Sequence, residues 1–388
     1  MPYTQLANLD FADIKASLVD YLRANSDFTD YDFEGSTLST MLDVLAYNTY
    51  YTAFNTNMVI NEMFLDSASL RDNVVSLAKQ IGYRPRSTTA PLAKLDFSLA
   101  YAGQGTPPTT CVLKRGTGFT TSFDDAIYQF VVVDDHEAPL NGNTANFGTV
   151  DVYQGTLIKQ SFTINTALKK QKFVLNNPGL DASTIKIRVY ETESSTTYQT
   201  YDVADNILDL DSSSEVFFVE ETLDEQYELF FGDGVYGKKL QHNNFVEVTY
   251  VVTDGEDANG AKTFSFSGIV TTKSGQPFQF NPTITTVSAA QGGAEIESVS
   301  SIKYSAPKTF AAQDRAVTSD DYASIVRKVF PATSDIITFG GEQDEPPEFG
   351  KVKIAIKPKV GTALSSFTKQ DIVKKLKDYT IASVTPEI

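Results

Sequence analysis

The spacing of apolar residues changes along the chain, and this change constrains the fold more than any other feature. In the first 90 residues apolar side chains recur every three or four positions, as on one face of a helix. From Leu95 to Tyr101 they alternate with polar residues, which is the period of a half-buried strand. The last hundred residues mix both periods. We therefore predict a multidomain α+β protein with a long-helix segment (1–90), a largely antiparallel β-rich middle region (91–290) and a C-terminal αββα module (291–388).

The N-terminal region predicts three helices. Asp10 caps the first, the second begins near Ser36, and Ser69 with Asp72 forms a capping box for a third helix that turns Leu70 inward. The polar side of the second helix carries uncharged Asn and Thr where a solvated face would carry Lys and Glu. We therefore predict that this segment packs against partner chains, although a self-contained three-helix domain is the alternative. The apolar residues assigned to partner binding are Phe11, Ile14, Leu18, Leu38, Met41, Leu42, Leu45 and Phe54.

A glycine-rich motif in the middle region resembles a nucleotide-binding fingerprint. Gly232, Gly234 and Gly237 have the G-x-G-x-x-G spacing, with Asp233 after the first glycine. A dinucleotide site requires a helix that begins at the third glycine, because the helix N-terminus binds the pyrophosphate. Here the motif leads into the strand-like run Val246–Val252 instead. We therefore interpret these four residues as the turn of a β-hairpin and predict no cofactor.

The C-terminal region predicts a helix, two strands and a second helix within residues 318–379. A sheet of two strands is marginal by itself, so we expect the β region, further C-terminal residues or a neighbouring copy to cover it. The chain ends at Thr385–Ile388 directly after a helix-like segment and without a polar tail. We therefore expect these residues to belong to a longer polypeptide.

The composition argues against several function classes. Asp and Glu number 49 against 32 Lys and Arg, for a formal charge of −17, so we expect no binding to nucleic acid or to a membrane surface. No leader-like or membrane-spanning pattern is visible. With one cysteine, two histidines and no nucleophile motif, we predict neither a metal site nor an enzyme. The charge is uneven, because no Lys or Arg lies between Arg188 and Lys238, whereas Lys351–Lys377 is lysine-rich.

Two ordered blocks resemble the baseplate J-like family. The first runs from Leu229 to Gly237 and continues through Asp254–Gly260, and the second combines Gly292–Ser298 with Arg315–Tyr322. The stretches Asp32–Ser36 and Gly82–Pro85 are similar to the larger wedge proteins of T-even-like contractile phage tails. Together the similar stretches cover most of the chain, which is far more specific than a single glycine motif.

The resemblance implies a structural subunit of the virion's tail baseplate. It implies that the N-terminal helices of two copies form a core bundle with other wedge proteins. It also implies that the C-terminal module pairs with a neighbouring wedge to build the inner ring around the tail hub, which is coupled to sheath contraction. Two other functions remain open at this point, a receptor- or glycan-binding tail adhesin and a tail hydrolase.

Overall fold

The protein divides into two compact units in a computed structural model. The first unit contains the residues up to Tyr83 together with Val299–Tyr304, and the second contains Arg84–Ser298 and Ser305–Ile388. The structure describes residues 10–24, 36–103, 107–168, 171–204, 210–273, 275–313, 315–361, 363–381 and 383–388. The predicted α+β class is confirmed, with helices first, a large β-rich middle, and helices with strands at the end.

Two of the predicted helix starts are confirmed. Asp10 caps the first helix by accepting hydrogen bonds from the backbone N–H groups of Ala12 and Asp13, and Ser36 caps the second through Ser39 N–H. Part of the predicted sequence pattern, Asp32–Gly35, lies outside the described residues. The described helices are α1 (Phe11–Arg23), α2 (Thr37–Glu62), α3 (Arg71–Gln80), α4 (Val299–Ala312), α5 (Ser319–Val329) and α6 (Ser366–Leu376).

The predicted capping box of α3 is wrong. Leu70 is the N-cap residue, its side chain is 50% exposed, and no side chain of the predicted box caps the helix. The carboxylate of Glu62, at the end of α2, accepts hydrogen bonds from the N–H groups of Ser69 and Leu70 and from the side chains of Ser69 and Asn73. A negative charge at a helix N-terminus is also favoured by the helix dipole. One acid thus connects the end of α2 to the start of α3.

Loss of the Glu62 charge should destabilise the helical unit in a pH-dependent way. Burial alone would raise the pKa of Glu62, but the hydrogen bonds from Ser69, Asn73 and Leu70 outweigh it and lower the pKa to about 2. Because the folded-state pKa lies below the ordinary value of 4.5, the stabilisation is complete above that value and is lost as the pH falls toward 2.

We therefore expect Glu62→Gln to lower the free energy of unfolding by about 1 kcal/mol at pH 7. The difference from the parent chain should vanish near the lower pKa, as measured by thermal unfolding followed by circular dichroism. The exposed Glu193, changed to Gln, is the matched control. A pH-independent effect of Glu62→Gln would contradict this role.

A first sheet in the second unit surrounds a phenylalanine-rich core. Its described strands follow the order β14-β3-β4-β6-β5-β2-β15, and β1 pairs with both β6 and β16. Phe97 lies at the centre, with ring centroids 5.2–5.6 Å from those of Phe119, Phe147 and Phe266. The strands of this first sheet are β1 (Leu92–Tyr101), β2 (Thr110–Leu113), β3 (Gly118–Phe123), β4 (Ala126–Val132), β5 (His136–Asn141), β6 (Thr144–Gln154), β14 (Ser265–Phe266), β15 (Thr271–Thr272) and β16 (Phe280–Gln291).

A second sheet curls on itself. Its described strands follow the order β7-β13-β9-β10-β11-β12-β8, and its neighbouring pairs are antiparallel except β10 with β11. The two edge strands approach each other, because the rings of Phe162 and Phe173 lie 5.4 Å apart. Its strands are β7 (Thr156–Thr163), β8 (Phe173–Leu175), β9 (Leu180–Tyr190), β10 (Tyr198–Val203), β11 (Val216–Glu221), β12 (Tyr227–Phe231) and β13 (Phe245–Val252).

The glycine-rich motif does not form a hairpin, and that prediction is wrong. The strands on either side of it do not pair, since β12 lies between β11 and β8 whereas β13 lies between β9 and β7. Gly234 and Gly237 do have positive φ, at +96° and +90°. A Cβ on Gly232 would lie 2.2 Å from the carbonyl carbon of Gly237, so a close backbone approach explains this glycine. Asp233 closes the turn by accepting two backbone hydrogen bonds.

The C-terminal elements follow in the order α5, β17 (Thr333–Gly340), β18 (Lys351–Pro358), α6 and β19 (Thr385–Glu387). The two strands predicted within residues 318–379 are present, and a third strand beyond them, β19, pairs parallel to β18. Ile336 and Ile354 of the sheet pack with apolar side chains of both helices, among them Ile325 and Ile372. This core explains how the small sheet is covered on one face.

Candidate partner interface and motif junction

One side of α2 presents an apolar row to solvent. Its members are spaced alternately three and four residues apart, which is the spacing of a coiled-coil seam. Their side chains are between 42 and 64% exposed, although they are large and apolar. We call this row the exposed seam, and it consists of Val44, Tyr47, Tyr51, Phe54 and Met58. At 1.5 Å per residue it extends for about 20 Å along the helix.

Another side of α2 is buried within the first unit. Leu42 and Ala46 are 4% and 0% exposed, and Asn57 and Asn61 are also buried further along. Helix α1 packs against α2, and Lys15 forms an ion pair with Asp43 across this contact. The inward side is therefore already occupied by residues of this chain, whereas the exposed seam is not covered by described residues of the first unit.

Uncharged side chains surround the exposed seam. The α2 sequence has no Asp, Glu, Lys or Arg between Asp43 and Glu62. The hydroxyl groups of Thr49, Thr52 and Thr56 each donate a hydrogen bond of 2.7–2.8 Å to the carbonyl oxygen four residues earlier. Because these polar groups are satisfied inside the helix, removing water from this surface has a low free-energy cost.

The residues predicted to bind partners fall on different sides of the helices. Leu42 is buried, so its side chain is taken up by the fold of this chain. Ile14, Leu18 and Leu38 are half-buried. The exposed members of the predicted set are Phe11 (37%), Met41 (57%), Leu45 (50%) and Phe54 (44%).

Four members of the exposed seam are not among the residues predicted from the sequence. Tyr47, Tyr51 and Met58 each stand beside an Asn or a Thr, and Val44 follows Asp43, so this stretch resembles a polar surface in the sequence. The signal that would have found them is the repeat of three and four residues between apolar positions. The hydroxyls of Tyr47 and Tyr51 lie 3.0 Å apart, with ring centroids at 4.6 Å, so these two side chains are fixed against each other.

The two sequence blocks that carry the family resemblance meet in the second unit. The side chain of Asn259, 4% exposed, donates a 2.8 Å hydrogen bond to Gly293 O and accepts one of 3.0 Å from Gly293 N. A Cβ on Gly293 would lie 2.6 Å from Gly255 O, and a Cβ on Gly255 would lie 2.0 Å from a carboxylate oxygen of Glu295. The glycines permit this close contact, which we call the motif junction.

Further polar contacts extend the motif junction. Buried Gln154 accepts hydrogen bonds from Thr253 Oγ1 and Asp254 N and donates one to the Asp254 carboxylate. On the other side, Glu297 accepts a hydrogen bond from the backbone N–H of Arg86 at 3.1 Å. Each of these polar groups has a hydrogen-bond partner elsewhere in the chain. The residues of the two sequence blocks therefore hold separate segments of the chain together at the motif junction.

The described residues contain no group of three or more His, Cys, Asp or Glu side chains that could hold a metal ion. No described helix combines the length and apolar content needed to span a bilayer.

Comparisons with known proteins find matches in the helical unit, in the curled sheet and in the C-terminal elements. Residues 10–83, which include the exposed seam, match the family model "Baseplate wedge protein gp6-like, helical domain". Residues 158–254, with most of the curled sheet, match "Bacteriophage baseplate wedge protein gp6, third domain". Residues 318–388 match "Baseplate structural protein gp6, C-terminal domain I". Over 397 aligned residues, covering 97% of this chain, the identity to baseplate wedge protein gp6 of Enterobacteria phage T4 is 29%.

The chain is therefore similar to gp6-like baseplate wedge proteins in three separate stretches and along nearly its whole length. These matches confirm the resemblance to baseplate wedge proteins that was inferred from the sequence. The chain spans 58% of the length of the T4 relative. A solved structure of the anti-feeding prophage baseplate also aligns with this chain, at 11% identity and a TM-score of 0.31. The alignment covers 99% of this chain and 79% of the chain in that structure.

Proposed function

We propose that this chain is a non-enzymatic structural subunit of the baseplate wedge of a contractile phage tail, acting in the virion. The observation that carries the proposal is the exposed seam on α2, a coiled-coil-like row of large apolar side chains that described residues of its own unit leave uncovered. The identity to a wedge protein along nearly the whole chain supports the same role. In this role the chain helps to build the inner ring around the tail hub and couples it to sheath contraction.

The helical segment, residues 1–90, is the part that joins the core bundle. A helix with apolar residues at alternating spacings of three and four packs most favourably against another helix with the same pattern. We infer that the partners are a second copy of this chain and a helix of another wedge protein. Aromatic and methionine side chains without nearby charges, as in the exposed seam, are typical of the centre of a protein interface.

The β-rich region, residues 91–290, acts as a rigid arm between the two assembling ends. Its polar contacts, such as those of Asn259 and Gln154, are directed inward and are satisfied within the chain. The described part of this region therefore contributes stiffness and spacing, while the ends contribute contacts.

The C-terminal module, residues 291–388, is proposed to contact a neighbouring wedge copy through lysines. Part of the lysine-rich segment is already neutralised, since Lys351 and Lys353 form ion pairs with Glu348 and Glu387. By contrast, Lys357, Lys374 and Lys377 are exposed, and no ion pair in the described part of the chain involves them. The acidic stretch between Arg188 and Lys238 of another copy offers a complementary surface.

We expect the double substitution Lys374→Glu and Lys377→Glu to weaken pairing of isolated subunits at least about tenfold at low salt, because charge attraction becomes repulsion. Raising the ionic strength should weaken pairing of the parent chain and leave the apolar core bundle nearly unchanged. Analytical ultracentrifugation over a salt series measures both effects. The matched control is Lys262→Glu, another exposed lysine that lies outside the module. Salt-independent pairing would contradict the role assigned to these lysines.

The proposed function as a whole is tested by mixing the chain with the other tail proteins of its phage and measuring sedimentation. A wedge subunit should form a complex of defined stoichiometry. A chain that stays monomeric with every tail protein, yet binds cells or a glycan surface, would instead be a tail adhesin.

A further inference from the structure

A cleft of about 420 Å³ opens at one end of the curled second sheet. Its floor includes Val189 and Tyr201, which are 6% and 2% exposed and belong to the core of that sheet. Burial and the nearby Glu215 carboxylate raise the pKa of Tyr201 to about 12, so its hydroxyl is protonated and uncharged at neutral pH. Small-molecule sites commonly have volumes of about 300–1,000 Å³ and occur in the mouths of curled sheets.

Two tyrosines form an aromatic wall of the cleft. Tyr190 of β9 and Tyr198 of β10 are direct partners in the antiparallel pairing, and their ring centroids lie 5.5 Å apart. The guanidinium carbon of Arg188 lies 4.5 Å from the Tyr198 ring centroid, which fixes the orientation of that ring. Tyr198 is nevertheless 45% exposed. Pre-oriented aromatic surface of this kind suits the C–H faces of a ligand at a low cost in conformational entropy.

Amide groups border the aromatic wall. Gln199 accepts a 2.8 Å hydrogen bond from Lys238, so its carboxamide is oriented while its N–H groups make no hydrogen bond with described residues. Asn244 is held by the carbonyl oxygens at the end of β9. The side-chain amide of Gln241 also lines the cleft and has no partner among the described residues. The cleft therefore offers donors and acceptors at defined positions beside apolar rings.

The charges around the cleft cancel. Lys238 is paired with Glu215 at 2.8 Å, and the other two charged lining residues are Glu191 and Lys239, of opposite sign. A neutral ligand with both C–H faces and hydroxyl groups matches this combination best.

We propose that this cleft binds a neutral saccharide, with Tyr190 and Tyr198 contacting the sugar rings and Gln199 and Gln241 binding their hydroxyl groups. The proposal adds a binding site to the chain and does not depend on its role in the wedge. It rests on the cleft volume, the paired tyrosines and the balanced charge.

Saturation-transfer NMR on the full chain tests the proposal with maltotriose, cellotriose and chitotriose as neutral probes and inorganic phosphate as the anionic probe. We expect transfer to at least one trisaccharide. Tyr198→Ala should weaken binding at least about tenfold, whereas Tyr198→Phe should retain it within about threefold because the ring is kept. Tyr21→Ala, which removes an exposed tyrosine on α1, is the matched control and should change nothing. Thermal unfolding verifies that each variant is folded.

Four results would overturn the proposal. The first is the absence of transfer to all three trisaccharides. The second is binding that Tyr198→Ala leaves unchanged, which would put the saccharide elsewhere on the chain. The third is binding of phosphate alone, which would assign the cleft to an anion. The fourth is a loss of assembly with tail proteins in Tyr198→Ala without any saccharide binding, which would assign the cleft to a protein contact.

Discussion

Val44→Asp combined with Phe54→Asp should abolish association with the wedge partners while the chain stays folded. Both side chains belong to the exposed seam, at 64% and 44% exposure, so charges there remain hydrated in the free chain and affect its stability little. In a helix bundle the same charges would be buried without partners, which is strongly unfavourable. We expect affinity to fall at least about a hundredfold, measured by co-sedimentation with the other wedge proteins.

Two controls separate loss of binding from loss of folding. Leu42→Asp places a charge on the buried side of α2, so it should destabilise the helical unit itself. Ile127→Asp alters an equally apolar side chain, 81% exposed on β4, and should leave association unchanged. If the double variant is folded and still associates as the parent does, the exposed seam is not the wedge contact.

Asn259→Ala should lower the free energy of unfolding of the second unit by about 2–4 kcal/mol. The substitution removes both hydrogen bonds to Gly293 and leaves a buried N–H and a buried C=O without partners. These groups lie at the motif junction, where glycines allow no side chain to move in and replace the lost contacts. Urea denaturation followed by tyrosine fluorescence measures the change.

The matched control is Asn143→Ala, because Asn143 is exposed and its amide donates a single hydrogen bond, to Tyr101 O. We expect this variant to lose less than about 1 kcal/mol, since water can replace the bond. Equal effects of the two substitutions would mean that the motif junction contributes no more to stability than a surface turn does.

The sequence alone determined the features that depend on neighbours a few residues apart. The start of α2 at Ser36 and the start of β1 at Leu92 follow from capping groups and from the change of apolar period. The order of α5, β17, β18 and α6 follows from the same local signals. The ordered motif blocks indicated the resemblance to baseplate wedge proteins for the same reason, because they are properties of the chain and not of its folding.

Tertiary structure decided what depends on residues far apart or on which face of an element is covered. The glycine motif reads locally as a hairpin, but β12 and β13 take different partners because the curled sheet places other strands between them. The cap of α3 comes from Glu62, which lies seven or more positions before the residues whose N–H groups donate hydrogen bonds to its carboxylate. The sequence pattern does not separate the exposed seam from the buried side of α2, which is recognised only by the burial of Leu42 and Ala46 in the folded unit. Apolar periodicity shows that a helix has a face to bury, whereas packing determines whether this chain or a partner buries it.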